Sequence, residues 1–205
     1  MTVYVLRHGE TSYNAGNLVQ GTTDIPLSEE GILQAEKVRR RIREELGLSF
    51  DRIYASPLQR ALKTGEIITG RSRENFIIDR RLREIEVGAL AGRSILENTE
   101  IMRNFMYFPD LYVPLVGGES FQELTERAGA FLEWLKDRDL PDSTLVCTHG
   151  GLMHAMRMYM EPHPMRDFWK PSITNCTLFR LETDPEGKWR IADIIANTEG
   201  RALGF

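Results

Sequence analysis

Two histidines stand where predicted β-strands end, and each is followed directly by glycine. His8 follows an apolar run at residues 3–6, and His149 follows one at residues 145–147; both runs are typical of buried strands. Glycine lets the backbone turn sharply and approach a ligand closely. If the two strands are parallel, the sequence predicts an imidazole pair at one edge of a sheet.

Two arginines join that predicted edge. Arg7 precedes His8 in the sequence Arg-His-Gly-Glu-Thr, and Arg60 lies in Ser-Pro-Leu-Gln-Arg-Ala, which follows a third predicted strand at residues 52–55. Guanidinium groups present paired donors in a fixed geometry, and loop N–H groups add further donors. A lone histidine or arginine at such a place is more often structural. The three motifs together predict an anion site.

Helix-like patterns occur between the predicted strands. A Ser28 N-cap predicts a helix that ends at Gly47, with one face formed by Ile32, Ala35, Val38, Ile42 and Leu46. Pro57 is interpreted as the first residue of the next helix. Later helices are predicted at residues 121–138 and 152–160.

Further strands complete an alternating pattern. They are predicted at residues 77–78, 177–181 and 189–194, and the Asp-Pro-Glu-Gly turn at 184–187 favours an antiparallel final pair. The alternation predicts an α/β three-layer sandwich, with a mostly parallel central sheet and helices on both faces. Ligands bind beyond the carboxyl ends of the strands in such sheets. Residues 86–118 do not fit the alternation, and we interpret them as an inserted flap over the site.

Composition excludes several classes of protein. The chain has 205 residues, 41% of them hydrophobic, and a net charge of −4, which predicts one domain over residues 1–205. Nucleic-acid binding is not expected, because the basic triplet at 39–41 is flanked by glutamates. No apolar run approaches a membrane span and the N-terminus does not resemble a signal peptide, so we expect a cytoplasmic protein. Cys147 and Cys176 lie in apolar strand-like runs and are interpreted as buried thiols.

Taken together, the motifs resemble the histidine phosphatase superfamily (branch 1), which includes the cofactor-dependent phosphoglycerate mutases. The resemblance covers nearly the whole chain, because the matching segments follow the family's order from residue 7 to residue 151. They are Arg7-His8-Gly9-Glu10-Thr11 with Asn14, Gln20-Gly21, Leu27-Ser28-Glu29-Glu30-Gly31, Ser56-Pro57-Leu58-Gln59-Arg60-Ala61 with Thr64, Leu82-Arg83-Glu84, Gly117-Gly118-Glu119-Ser120 and Thr148-His149-Gly150-Gly151.

The resemblance implies that His8 is the nucleophile and becomes a phosphohistidine. Arg7, Arg60 and His149 would clamp the phosphoryl oxygens, with help from Asn14. Phosphoryl transfer depends mainly on positioning and on stabilising charge at the equatorial oxygens, which guanidiniums can do. The nearby arginines should keep His8 neutral and nucleophilic. We therefore expect neither a metal nor a cofactor.

The resemblance also assigns roles around the leaving group. Glu84 would donate a proton to the leaving oxygen and then act as the base for the incoming water. On its own, this residue would be interpreted as a surface carboxylate beside three arginines. Gln20 and Gly21 would line the wider pocket, and Gly150 is expected to bind substrate.

A phosphatase is favoured over a mutase. Mutases of this family carry paired arginines in the inserted segment, whereas residues 93–118 hold only Arg93 and Arg103 against three acidic residues. Val87 stands where mutases usually have tyrosine, and the chain ends at Phe205 soon after its last predicted strand. We predict a phosphomonoester hydrolase acting on a small phosphorylated metabolite. The alternatives are a phosphoglycerate mutase and a phosphate-ester binding module without catalysis.

The composition of the flap bears on which substrates the protein prefers. Residues 104–112 are apolar and aromatic, and their side chains either form the flap's own small core or face the pocket. In the second case they would favour a bulky or weakly polar group over a small polyanion. The partner would be a small phosphate ester, and the sequence leaves the oligomeric state open.

Overall fold

A central six-stranded sheet organises the protein, whose computed structural model describes residues 1–195. The strands run in the order β3-β2-β4-β1-β5-β6, and β3, β2, β4 and β1 are parallel. β5 lies antiparallel to β1 and β6 antiparallel to β5, as the turn between them predicted. Their bounds are Thr2–Arg7 (β1), Arg52–Ala55 (β2), Ile77–Ile78 (β3), Thr144–Thr148 (β4), Leu178–Thr183 (β5) and Trp189–Ile195 (β6).

Helices cover both faces of this sheet. The α-helices are Ser12–Ala15 (α1), Glu29–Arg40 (α2), Gln59–Thr69 (α3), Glu100–Tyr107 (α4), Phe121–Lys136 (α5) and Gly150–Met160 (α6). α2 and α3 pack on one face, where Tyr4 and Leu6 of β1 point. α5 and α6 pack on the other face, against Val3 and Val5. The predicted three-layer α/β sandwich with a mostly parallel sheet is confirmed.

Some local predictions were wrong. α3 begins at Gln59 after a Leu58 N-cap, so Pro57 lies before the helix. The final turn of the second helix is a π-helix, Arg41–Glu45, whose wider turn shifts the helical register and leaves Leu46 40% exposed instead of on the buried face. Cys176 is buried as predicted, but it lies in a turn before β5 with a φ of 58° rather than in a strand.

The segment 86–118 lies against the main core. Its helix α4 buries Phe105 and Met106, whereas Tyr107 is 53% exposed. The Phe105 ring lies 5.4 Å from Phe121 of α5 and 5.6 Å from Trp169. The buried side chains therefore belong to the large core on this face of the sheet, not to a separate core of the segment. Within residues 1–195, no helix combines the length and apolarity that a membrane span requires.

Candidate active site

Parallel pairing of β1 with β4 brings the two predicted histidines together. Arg7 pairs with Thr148 in register, and the His8 N–H donates to the Thr148 carbonyl over 3.1 Å. The rings of His8 and His149 consequently lie 5.2 Å apart between centroids. β2 pairs with the other side of β4, so the segment that carries Arg60 starts from the same edge of the sheet.

His8 is buried as a neutral imidazole with a defined tautomer. Its Nδ1 lies 2.7 Å from the Gly9 carbonyl, which can only accept, so Nδ1 carries the proton and Nε2 keeps its lone pair. Burial lowers the pKa of His8 well below its usual value, and the positive charges of Arg60 and Arg7 lower it further. Burial is thus a larger cause of the lowered pKa than the arginines, which were the expected cause.

The backbone around His8 is fixed from three directions. The Gly9 N–H donates to Thr64 Oγ1 over 3.0 Å, and the His8 carbonyl accepts from Asn175 Nδ2 over 3.1 Å and from the Cys176 N–H over 3.2 Å. A Cβ on Gly9 would lie only 2.5 Å from the Gly31 carbonyl oxygen. The glycine after His8 is therefore required by close backbone packing as well as by the turn.

Arg60 is buried, and carbonyl groups hold its guanidinium. Nη1 donates to the Thr23 carbonyl over 2.8 Å and Nη2 to the Gly21 carbonyl over 2.7 Å. Nε donates to His149 Nδ1 over 3.2 Å. With its amide oxygen turned toward Arg60, Gln20 accepts from Nε at 3.0 Å and from Nη1 at 2.9 Å. This orientation satisfies both the amide and the guanidinium.

His149 supports Arg60 rather than facing the cavity. Because Nδ1 accepts from Arg60, the proton lies on Nε2, which donates to Ser56 Oγ over 2.8 Å. Burial, followed by the charge of Arg60, lowers the pKa of His149 well below its usual value. Both ring nitrogens of His149 therefore form hydrogen bonds with protein atoms. One partner is Ser56, the residue that directly follows β2.

Arg7 also remains a cation in a buried setting. Its Nη1 donates to the Ile173 carbonyl. Burial lowers the pKa of Arg7 to about 10 while the charge of Glu84 raises it, and the pKa of Arg60 is likewise lowered to about 10, chiefly by burial. Both guanidiniums therefore stay protonated at neutral pH.

Glu84 lies half-buried on the segment that follows β3. Its carboxylate accepts from the Ile85 N–H over 2.9 Å and from the Gly151 N–H over 3.1 Å. A Cβ on Gly151 would lie 2.4 Å from Glu84 Oε1, so the second glycine after His149 makes room for this carboxylate. The first, Gly150, would place a Cβ 3.1 Å from Arg7 Nε.

Asn14 and Gly21 complete the predicted set. Asn14 Oδ1 accepts from the Thr11 N–H over 3.1 Å in the capping box of α1. Gly21 has a φ of 51°, and a Cβ there would lie 2.3 Å from Val87 Cγ2, so only glycine fits. Its contribution is the carbonyl that holds Arg60.

One cavity gathers most of these residues. Arg7, His8, Arg60 and Glu84 form what we term the polar floor, with Asn14 and Gln20 beside it; Phe105, Met106 and Trp169 form the apolar roof. Leu18, Val19, Ile85 and Ile95 line the remainder. The empty space around these residues is about 490 Å³, a figure that includes open solvent at the mouth. Of the predicted residues, His149, Gly21 and Gly150 do not line this cavity and lie behind Arg60 and Arg7.

Sequence reasoning missed the contribution of residues 168–177. Trp169 closes the roof and donates from Nε1 to the Phe105 carbonyl over 2.7 Å, Ile173 holds Arg7, and Asn175 holds the backbone of His8. None of these residues belongs to a recognisable motif, and all three contacts are accepted by main-chain carbonyls, that of Ile173 in this segment and those of Phe105 and His8 outside it. Trp169, which follows Phe168, is the one member of this set whose residue type could have been noticed.

No metal cluster is evident in the part of the chain that the structure describes. Residues 1–195 contain no group of three or more histidine, cysteine, aspartate or glutamate side chains arranged to hold a metal ion. Among the described residues, the cations that line the cavity are the guanidiniums of Arg7 and Arg60.

The chain matches a known protein family over nearly its whole length. The family model of the histidine phosphatase superfamily (branch 1) matches residues 3–196. "Probable phosphoglycerate mutase GpmB" of Shigella boydii is 32% identical over 203 residues, covering 98% of this chain and 93% of that protein.

Solved structures agree with the family match. Bacillus stearothermophilus YhfR superposes with a TM-score of 0.80 at 31% identity, covering 93% of this chain and 95% of that one. The mycobacterial glucosyl-3-phosphoglycerate phosphatase, solved with VO3, gives 0.79 at 26% identity, covering 96% and 99%. The match over residues 3–196 shows that the chain belongs to branch 1 of the histidine phosphatase superfamily.

Proposed function

We propose that the protein hydrolyses phosphomonoesters through a phosphohistidine at His8. The observation that carries this proposal is the neutral His8, whose unprotonated Nε2 belongs to a cavity that Arg7 and Arg60 also line. A neutral imidazole has the lone pair that a nucleophile needs, and flanking cations stabilise charge on phosphoryl oxygens.

The first step transfers the phosphoryl group to the protein. His8 Nε2 attacks phosphorus in line, forming the P–N bond as the P–O bond to the alcohol breaks. Arg7 and Arg60 hold the equatorial oxygens, with Asn14 and Gln20 beside them. Glu84, in its protonated form, gives its proton to the leaving oxygen, so the alcohol departs neutral.

The second step returns the protein to its starting state. The Glu84 carboxylate takes a proton from water, whose oxygen attacks phosphorus as the P–N bond breaks. Inorganic phosphate leaves, and His8 regains its lone pair. His149 keeps Arg60 oriented through both steps by accepting from Nε and donating to Ser56.

The apolar roof favours hydrolysis over mutase activity. Within the described residues, Arg7 and Arg60 are the cations that line the cavity. Of the two arginines in the inserted segment, Arg93 donates to Glu97 over 2.9 Å and Arg103 lies exposed on α4. The carboxylate of a bound phosphoglycerate would therefore lack a cationic partner, which is costly.

Cations further from the floor do not change this conclusion. Arg166 and Lys170 lie around a neighbouring cavity beyond Met106 and Trp169. Arg166 contacts Asp110 over 3.1 Å, and Lys170 contacts Asp167 over 3.2 Å. Both cations contact carboxylates and lie outside the lining of the cavity around His8.

Phosphoglycerate mutase activity is the second candidate. It is favoured by the name of the Shigella boydii relative and by a Thermus thermophilus phosphoglycerate mutase that superposes with a TM-score of 0.71 at 27% identity. A primer-dependent mutase must keep water from the phosphoenzyme, transfer its phosphoryl group to a second oxygen of an already phosphorylated substrate, and take the substrate's original phosphoryl group back onto the histidine. Both candidate reactions use His8 as the nucleophile, and they differ in the molecule that accepts the phosphoryl group from it.

A side-by-side kinetic assay separates the candidates. The purified protein is given an aryl phosphate, an alkyl phosphate and 3-phosphoglycerate, the last with and without the bisphosphate primer and all with and without EDTA. We expect release of inorganic phosphate that survives the chelator, with the highest kcat/KM for the aryl ester. Primer-dependent interconversion of 2- and 3-phosphoglycerate faster than hydrolysis would assign the mutase, and no turnover of any ester would leave a binding module.

The thiols suggest where the reaction takes place. Cys147 and Cys176 are both buried and free, and burial raises the pKa of the Cys176 thiol to about 12. A chain without disulfides is typical of a reducing compartment. We therefore place the enzyme in the cytoplasm.

A further inference from the structure

Glu84 lies on a segment that has no regular hydrogen-bond ladder. Residues 83–86 belong to neither a helix nor a strand, and Val87 makes only an isolated bridge to Gly118. Partly buried carbonyls on such a segment need donors from elsewhere in the fold. A proton donor must also be held within a fraction of an ångström of its productive position, so whatever supplies those donors bears on the reaction.

Arg127 of α5 supplies them. Its Nη1 donates to the Arg81 carbonyl over 2.6 Å and to the Arg83 carbonyl over 2.8 Å, and Nη2 donates to the Glu84 carbonyl over 3.3 Å. One guanidinium thus donates to three of the four carbonyl groups at residues 81–84. This side chain is 18% exposed and does not line the cavity around His8.

Glu119 binds the Arg127 guanidinium and also holds the main chain on the C-terminal side of Glu84. Its carboxylate accepts from Arg127 Nε over 2.8 Å and from Nη2 over 2.7 Å. The same residue exchanges contacts with Glu86: its N–H donates to the Glu86 carbonyl over 2.7 Å, and its Oε2 accepts from the Glu86 N–H over 3.3 Å. The segment is therefore held on both sides of the carboxylate.

The geometry uses the whole donor capacity of arginine. A guanidinium has five N–H groups, and the five contacts of Arg127 account for all of them: two to Glu119 and three to carbonyls. A lysine ammonium has three donors and no planar fork, so it cannot reproduce the arrangement. Such complete use of donors exceeds what an ion pair alone requires.

We propose that Arg127, held by Glu119, is a positioning residue that keeps Glu84 aligned for proton transfer. The proposal rests on the proposed role of Glu84 as acid and base. Arg127 touches no reacting atom in this account; it acts through the main chain at residues 81–84. If Arg127 only stabilised the fold, its substitution would instead lower the free energy of unfolding and leave the dependence of the rate on the leaving group unchanged.

The test compares substrates that differ in their need for a proton. Arg127→Gln, Arg127→Lys and Glu84→Gln are assayed with an alkyl phosphate and with an aryl phosphate whose leaving oxygen hardly needs protonation. Removing general acid help costs about a hundred- to ten-thousand-fold. We expect Arg127→Gln to lose about 10- to 100-fold on the alkyl ester and less than about threefold on the aryl ester, with Arg127→Lys close to it. Glu119→Gln, which keeps an acceptor for the fork, should show the same pattern more weakly.

A double variant and a matched control complete the experiment. Glu84→Gln combined with Arg127→Gln should lose no more on the alkyl ester than Glu84→Gln alone, because both changes remove the same function. Arg73→Gln breaks an ion pair of equal geometry, with Nε–Oε1 and Nη2–Oε2 both 2.8 Å to Glu66, away from the cavity, and should change neither substrate. If Arg127→Gln does not fold, Arg127→Lys and Glu119→Gln carry the comparison.

The outcomes separate the two proposals. If Glu84→Gln depends on the leaving group while the Arg127 and Glu119 variants lose equally on both esters, the positioning role is wrong and the proposed function stands. If Glu84→Gln itself loses equally on both esters, Glu84 is not the acid, and the positioning role fails with it. Additive losses in the double variant would also overturn the positioning role.

Discussion

The polar floor and the apolar roof of the cavity are built by different physical means. In the floor, Arg60 is fixed by carbonyls and by a neighbouring imidazole, and the backbone of His8 is fixed by hydrogen bonds from three segments. In the roof, Phe105 and Trp169 are fixed mainly by ring contacts, with one hydrogen bond between them. The floor consequently has little tolerance for displacement, whereas side-chain packing can accommodate a different shape.

Because of this difference, we expect the floor to determine the rate of turnover and the roof to determine which ester is preferred. In the reaction proposed above, chemistry on phosphorus needs the nucleophile, the cations and the acid in fixed relation, and we infer that the floor supplies them. On the same proposal, the roof contacts the part of the substrate that does not react. Substitutions in the floor should therefore change turnover of every phosphomonoester, and substitutions in the roof should change which ester is preferred.

The largest effect is expected for His8→Ala. Loss of the nucleophile should lower kcat/KM for an aryl phosphate by at least about a thousandfold, while the folded state is retained because the ring contributes little to the core. Steady-state kinetics and circular dichroism provide the measurements. His163→Ala is the matched control, since that histidine pairs with Glu161 on the surface. A His8→Ala variant with more than about one-thousandth of the activity would contradict nucleophilic catalysis.

A smaller loss is expected for Gly151→Ala. The added Cβ would meet Glu84 Oε1 at 2.4 Å and displace the carboxylate, so turnover of an alkyl phosphate should fall about 10- to 100-fold and that of an aryl phosphate much less. Gly129→Ala is a control of the same kind, because its Cβ would meet Tyr159 at 2.4 Å away from the cavity. Equal losses in the two variants would argue against a role for Glu84 in proton transfer.

In the roof, Met106→Arg should change preference. A cation there would give a substrate carboxylate the partner that the cavity lacks, so kcat/KM for 3-phosphoglycerate relative to an aryl phosphate should rise about tenfold, equivalent to about 1.4 kcal/mol. Val113→Arg adds the same charge on the outer surface of the flap, where the residue is 72% exposed, and should leave the ratio unchanged. A ratio that moves equally in both variants would show only a long-range effect of charge.

Behind the roof, His154 should contribute to stability but not to catalysis. Burial lowers its pKa to about 3, and the charges of Arg157 and Arg7 add to the shift, while a hydrogen bond with the backbone of Phe168 opposes it. Since the folded pKa lies below the unfolded value, the unfolded state binds the extra proton, and stability is lost as the pH falls below about 6.5.

Urea denaturation at pH 7 and pH 5.5 tests whether the free energy of unfolding falls as the pH is lowered. For the wild type, His154 should account for about 1 kcal/mol of the fall in the free energy of unfolding between these pH values. His154→Gln should show a fall smaller by that amount, with an unchanged kcat/KM for an aryl phosphate. An identical pH dependence in both proteins would contradict the buried neutral state of this imidazole.

The floor could be predicted from the sequence far better than the roof. Arg7, His8 and Arg60 follow strands whose apolar pattern is plain, and parallel pairing then brings them together without further information. Asn14, Gln20 and Glu84 came from the family resemblance, because neither spacing nor periodicity relates them to the strand ends. All six line the same cavity.

Tertiary contacts explain what the sequence could not supply. Ile173 acts through a carbonyl, which any residue type possesses, so its identity carries no signal. The sequence pattern predicts a helix from Pro57, but the helix starts at Gln59, and the Ser56 hydroxyl, which lies before the helix, contacts His149. Phe105 and Met106 of the flap both belong to the large core and line the cavity, whereas the neighbouring Tyr107 is exposed, a distinction set by helical phase.

The most direct test of the central claim is to trap the phosphoenzyme. The protein is mixed with a ³²P-labelled aryl phosphate, quenched within milliseconds, and divided between acid and alkali before peptide mapping. Our account predicts label on the peptide that contains His8, lost in acid and retained in alkali as expected for a P–N bond, and absent from His8→Ala. Label that survives acid, or that maps to Ser56 or to a carboxylate, would contradict it.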